Sequence, residues 1–210
     1  MKLLSSVRRI RLYTPIEKIR DVFPFDPFKA IVAPRPIGWI STISKAGIPN
    51  IAPYSFFGAV SSDPNMLGFT SSGIKDTLEN CRETGEFVFN VVSGELLEAM
   101  NQTAKALGPD ESEFDFVSLE KAGSHLVKPP RVADSPAALE CKVVSIRQLD
   151  NLEGGKTESW FTIGQVVGVY INPKYITTDK RFDTAKARIP SRCGYMDYMS
   201  AGEVFELLRP

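Results

Sequence analysis

Histidine is nearly absent from this chain: His125 is the only one in 210 residues. A histidine-built metal site is therefore excluded, and Ser–His–Asp or Cys–His catalysis would have to use His125. That residue sits near Lys128, Pro129 and Pro130 in a loop-like stretch, where a structural or solvated role is the simpler reading. Cysteine is scarce as well. Cys81, Cys141 and Cys193 are far apart and odd in number, and no Cys-x-x-Cys occurs, so neither a zinc site nor a thioredoxin-type pair is indicated. The pattern fits reduced thiols in the cytoplasm. An excess of one charge is also missing: Lys+Arg and Asp+Glu are each 25, which speaks against a nucleic-acid partner. The basic residues near the N-terminus (Lys2, Arg8, Arg9, Arg11, Lys18, Arg20) read as a solvated segment. Residues 1–10 lack the apolar core of a signal peptide. No apolar run approaches the roughly 20 residues of a membrane span.

The nucleotide motifs fail too. Gly-x-Gly-x-x-Gly is absent, and Gly155-Lys156-Thr157 lacks the earlier glycine of a phosphate loop, because Asp150 stands there. No spacing singles out a pair of carboxylates for glycoside chemistry. An enzyme built from these parts needs a cofactor to carry its chemistry.

What is present is a chain punctuated by 15 Gly and 15 Pro, the signature of many short strands joined by turns. Strands are predicted over 38–44, 48–54, 66–70, 87–92, 137–149 and 160–171. In the fifth, Leu139, Cys141 and Val143 form one face against Glu140 and Lys142. In the sixth, Phe161, Ile163, Val167, Val169 and Ile171 form an apolar face, with Gly164 and Gly168 opposite, where glycine marks a bulge, a bend or a close approach. One helix is predicted from Asp76, with Glu79 completing a capping-box pattern and Leu78 and Cys81 facing inward. Another follows Ser93, with Leu96, Leu97, Met100, Ala104 and Leu107 at helical spacing, stopped by Gly108-Pro109. Mostly short strands with few helices suggest a barrel or sandwich. No repeat or internal boundary is visible, so residues 1–210 read as one domain, with 1–24 as an N-terminal extension.

Residues 34–57 mix hydroxyls, amides and aromatics on short extended segments: Pro34-Arg35-Pro36-Ile37-Gly38-Trp39-Ile40-Ser41-Thr42, then Asn50-Ile51-Ala52-Pro53-Tyr54-Ser55-Phe56-Phe57. This mixture suits a flavin, whose ring wants apolar walls and whose ribityl chain wants polar partners. Trp39, Tyr54 and Phe56 are candidate walls, although core packing is the simpler reading of each. Ser71-Ser72-Gly73-Ile74-Lys75-Asp76-Thr77 places hydroxyls and a lysine before a helix start. That stretch fits either a phosphate cradle or an ordinary cap.

These blocks, with Lys75-Asp76-Thr77-Leu78-Glu79-Asn80 and Gly85-Glu86-Phe87-Val88-Phe89-Asn90, resemble the flavin reductase-like family, of which flavoredoxin is a member. The resemblance spans roughly 25–200 and is dense over 34–92. It implies a mainly β fold with α additions, a six-stranded antiparallel Greek-key split barrel. It further implies a homodimer with FMN near its interface, and NADH, NADPH or a redox protein as electron donor. By the same resemblance Ser41, Thr42, Asn50, Ala52, Pro53 and Ser55 line the ring and ribityl part. Ser71, Ser72, Lys75 and Thr77 take the ribityl chain and phosphate, with Arg35 a further candidate. Arg192, Gly194 and Tyr195 match a C-terminal element near the flavin. Three positions depart from the family pattern: Gly58 replaces a common asparagine, Cys193 a larger apolar residue, and Glu158-Ser159-Trp160 lacks the histidine that members with reductase activity often carry. The implied activity is FMN-dependent oxidoreduction, with a non-enzymatic FMN-binding or electron-transfer module as the alternative.

Overall fold

The computed structural model describes residues 13–108 and 110–208. Pro109 and the basic residues Lys2, Arg8, Arg9 and Arg11 lie outside them, as do residues 1–10, so the leader reading is not addressed. Seven strands form one antiparallel sheet: β1 (Gly38–Ile43), β2 (Pro49–Tyr54), β3 (Phe57–Ser62), β4 (Asn65–Ser72), β5 (Glu86–Asn90), β6 (Ala137–Asp150) and β7 (Lys156–Ile171). Their order is β2-β1-β5-β6-β7-β4-β3. The expectation was six; the additional strand is β3, hairpinned onto β4 through Asp63-Pro64 at the sheet edge.

Turn chemistry sets the register. Between β1 and β2, Gly47 takes φ +85°, and Ser44 accepts from the backbone N–H of Gly47 and, through its side chain, of Ile48. Thr42 thereby falls opposite Asn50. Between β6 and β7, the Asn151 carboxamide oxygen accepts from the N–H of Glu153 and Gly155 at 3.1 and 2.7 Å.

The sheet curls until β2 meets β4. The rings of Tyr54 and Phe69 lie 4.8 Å apart across that seam. Ile40, Tyr54, Leu67, Phe69, Phe87 and Cys141 fill the interior, together with Cys81 from helix α1 (Asp76–Thr84). A second core lies outside β1 and β2, where Trp39, Ile51, Val92, Met100, Phe114 and Val132 pack together. Among the described residues no helix is long and apolar enough to cross a membrane.

Four details correct the sequence reading. First, the apolar face assigned to β7 does not face the barrel. Thr162 and Gly164 are buried, and Val166 packs against the interior cluster, while Val169 is 66% exposed. The barrel is too narrow there for a larger residue: a Cβ on Gly164 would lie 2.3 Å from the Phe87 ring. A register shift, with Glu140 opposite Gly168 but Cys141 opposite Val166, then turns Val167 toward a separate cluster with Val88 and Ala138. Second, Glu140 lies on the face opposite Cys141 as the alternation predicts, but that face is covered there, and its buried carboxylate accepts from the N–H groups of His125 and Leu126 at 2.8 and 2.6 Å. Third, α1 begins at Asp76, but its N-cap is Lys75 and no side chain caps it. Asp76 is already helical, one position too late to fold back. Fourth, helix α2 (Leu97–Gln102) ends before Ala104 and Leu107. The Thr103 hydroxyl donates to the Met100 carbonyl at 2.6 Å and accepts from the Trp39 indole at 2.9 Å, which closes the helix at that residue.

Replacing Gly164 by valine should therefore destabilise the fold by about 1–3 kcal/mol through overpacking. Urea denaturation followed by circular dichroism would measure it, and an unchanged midpoint would contradict the close packing against Phe87.

Candidate functional site

A buried polar network begins where β1, β2 and the start of α1 converge. Asn80 donates to the Thr42 hydroxyl at 3.0 Å, and Thr42 donates in turn to the Asn50 carboxamide oxygen at 3.1 Å. That same oxygen accepts from the Thr77 hydroxyl at 2.8 Å. The Asn50 amide nitrogen donates to Glu113 Oε2 at 3.0 Å, and the Ile51 N–H reaches the same oxygen at 3.1 Å. All five side chains are buried. Burial raises the Glu113 pKa above the ordinary glutamate value, although the bonds from Ile51 and Asn50 work in the opposite sense.

This network backs a cavity of about 350 Å³, lined by Asn50, Ala52, Pro53 and Tyr54 on one side and by Lys75, Thr77 and the 103–107 segment on the other. A second cavity of about 220 Å³ shares Pro53 and Ala104 with it and is lined further by Ile37, Ser55, Met100 and Arg192. Together they form one groove, with the buried polar network at the end near α1 and with Ser55, Asn101, Arg192 and Tyr198 beside Ile37 and Met100 at the other. The Tyr54 hydroxyl is buried beside the polar end and has no hydrogen-bond partner. The neighbouring hydroxyls of Thr77 and Ser71 donate their own protons to Asn50 and to the Gly73 carbonyl, which leaves their oxygens as acceptors beside the phenol. Desolvation pushes the Tyr54 pKa up to about 12, so the phenol stays protonated at neutral pH.

Of the twelve residues singled out in the sequence, Asn50, Ala52, Pro53, Lys75 and Thr77 line the first cavity, and Pro53, Ser55 and Arg192 the second. Thr42 lies behind Asn50. The other four are elsewhere engaged or exposed. Ser41 points to the opposite face of β1 from Thr42, where it donates to the Pro130 carbonyl at 2.6 Å and accepts from Asn90. The Arg35 guanidinium is buried and bonds the backbone carbonyls of Lys29, Val32 and Cys193. Ser71 is buried against Gly73, and Ser72 is exposed. Arg192 is partly committed, since its guanidinium donates to the carbonyls of Asp197 and Tyr195 at 2.8 and 2.7 Å. Sequence reasoning missed Glu113 and the 103–107 wall. Glu113 stands 62 residues from its partner Ile51 on a four-residue helix, with no motif around it. The single histidine lines neither cavity.

The fold is thus a curled antiparallel barrel with a groove of mixed polar and apolar lining beside β2 and the start of α1. The family described as flavin reductase like domain matches residues 32–185, and the chain belongs to it. An uncharacterized protein of Bacillus subtilis, YwrF, is 37% identical over 184 residues, covering 85% of this chain and 89% of its own. Nitrilotriacetate monooxygenase component B from Bacillus cereus superposes with a TM-score of 0.84 at 27% identity, covering 94% of this chain and 98% of that one. Flavoredoxin of Desulfovibrio vulgaris shares the fold at TM-score 0.74 and 20% identity, covering 84% and 91%.

Glu113→Ala strands the Asn50 amide and the Ile51 N–H in a buried setting and should cost about 2–6 kcal/mol, at about 1–3 per orphaned group. Glu113→Gln keeps an acceptor and should cost less. Because the folded-state pKa of Glu113 is raised, its protonation stabilises the fold fully below the ordinary glutamate value, and this contribution is lost as pH rises through the raised value. Urea midpoints measured across that range should show the decline in the native protein and a smaller one in Glu113→Gln.

Proposed function

We propose that the chain binds FMN in this groove and works as an oxidoreductase, passing electrons from NADH, NADPH or a redox protein through FMN to an acceptor. The observation that carries this reading is the buried, unpartnered Tyr54 hydroxyl beside a cavity that also presents Lys75 and the amide end of α1. Lys75 and the free N–H groups at the helix start would hold the phosphate, offsetting the exposed carboxylate of Asp76. Tyr54 would donate to the ribityl chain or phosphate, and Asn50 keeps Thr77 and Thr42 fixed behind it. Ile37, Pro53 and Met100 would shelter the ring, with Ser55 and Arg192 at its edge. FMN supplies the electron chemistry that no side chain here provides. What the chain adds is alignment and the exclusion of water.

Family membership and the likeness to a monooxygenase component support an oxidoreductase. A second reading, an electron-transfer or non-enzymatic FMN module, draws support from the start of β7. Glu158-Ser159-Trp160 carries no histidine, and the backbone of His125 is held by Glu140 in a separate loop. On either reading we place the protein in the cytoplasm as one flavin-binding unit. We also propose a homodimer. Val60 and Phe161 flank Gly68 on the outer face of β3, β4 and β7, and Val60 is 46% exposed there. Nearby on the surface, Phe28 meets Phe56, and both are exposed. A second copy would cover this apolar surface.

The purified protein should be yellow, and anaerobic NADH or NADPH should bleach it. Colour that fades only with a reduced protein partner would favour the second reading, and failure to take up FMN would overturn both. Lys75→Ala should weaken FMN binding by about 1–2 kcal/mol, the worth of a charged hydrogen bond at an exposed position. Light scattering should give twice the chain mass; a monomer that retains FMN would rule out a site shared between subunits.

A further inference from the structure

A third cavity, of about 510 Å³, lies between the turn Gly94–Leu96 and the 186–190 segment, which spans the end of the short helix Thr184–Ala187. Tyr198 lines both this cavity and the one holding Pro53, Ser55 and Arg192. Its ring, gripped by the Arg192 guanidinium at 4.5 Å and by a 2.8 Å hydrogen bond to Asn101, is the partition between them. The walls are chemically divided. Leu97, Ala187 and Pro190 supply apolar surface, and Tyr175 a buried aromatic ring. Lys186 and Arg188 supply positive charge, and among the described residues neither lies within ion-pair distance of a carboxylate. Glu95 is the single acidic residue on the wall, so cations outnumber it by two to one. Arg188 holds this place at φ +47°, a left-handed helix end that glycine or asparagine fills with less strain. The conformation projects a cation where a smaller residue would serve the turn alone.

We propose that this cavity binds the anionic group of a small organic molecule, a phosphate or carboxylate carried on an aromatic or nucleotide body, beside the flavin groove. Its role as the seat of an electron donor or acceptor rests on the FMN reading; the anion site itself does not. Two cations on flexible stems suit a single anionic group, and the adjoining aromatic and aliphatic wall suits a flat ring. Tyr198 keeps the two ligands adjacent but separate.

The test is titration calorimetry of the full-length protein, with and without saturating FMN, using NADP⁺ and benzoate as probes. At least one probe should bind, and Lys186→Gln/Arg188→Gln should weaken it roughly tenfold or more, as loss of charge-assisted bonds requires, with FMN affinity unchanged. Weakened NADP⁺ binding identifies a nucleotide phosphate as the ligand group, and weakened benzoate binding an aromatic carboxylate. The proposal is overturned if neither probe binds the native protein, or if the double variant binds both as tightly. Both residues are exposed, so the variant should keep its fold, and an unchanged melting curve would verify this. A protein that binds a probe but never FMN would sink the flavin reading while leaving the anion site standing.

Discussion

The Asn50 carboxamide is the constraint on which the groove depends. Its oxygen takes two hydroxyl protons and its nitrogen meets a carboxylate, so three separate segments converge on one planar group. β1 contributes Thr42, α1 contributes Thr77, and the one-turn helix at 113–116 contributes Glu113. Buried polar groups of this kind are costly when half satisfied and rigid when complete. Because the donors and acceptors are matched, the amide has one workable orientation. The strand carrying it, which continues into Ala52-Pro53-Tyr54, is thereby held at a set distance from the helix start, and that gap is the polar end of the groove.

The barrel behind it is shaped by two opposed demands. Phe87 and Phe69 need room, since their rings meet edge to face at 5.5 Å. Gly164 yields that room on β7. The strand then presents Phe161, Ile163 and Val169 outward, which leaves an apolar exterior on a protein whose interior is already full. Interior crowding and an apolar exterior are thus two sides of one strand, and they connect the fold to the proposed dimer.

The sequence disclosed the strands well because turn residues bound them tightly. The hairpin around Gly47 is local chemistry and falls between the two strands the sequence predicted; the left-handed helix end at Gly85 is equally local, but the sequence reading gave this helix no stop. Long-range choices were not legible. Alternation along β7 pointed to the wrong face because the bulge at Val167 appears only in its pairing with β6, and the bulk of Phe87 belongs to β5. The end of α2 depended on an indole 64 residues away, which no helical spacing reveals. Around the groove, the Asn50-to-Ser55 run and Lys75-Thr77 were visible as motif blocks. Arg35 and Ser41 occupy equally striking positions in the same blocks, yet their polar atoms tie down backbone. Residue type and spacing did not separate the two uses, and only hydrogen-bond accounting does.

The bond from the Trp39 indole to Thr103 gives this architecture an optical handle. Trp39 is fully buried, and its ring nitrogen is fastened to the residue from which the 103–107 wall departs. The other tryptophan, Trp160, stands opposite Ser71 and lies under the Arg82 guanidinium of α1 at 4.1 Å. The two natural indole fluorophores thus flank the polar end from different sides, one fastened to the wall and one to the helix. Their emission carries information about how wall and helix sit, and the chain needs no added label to report it.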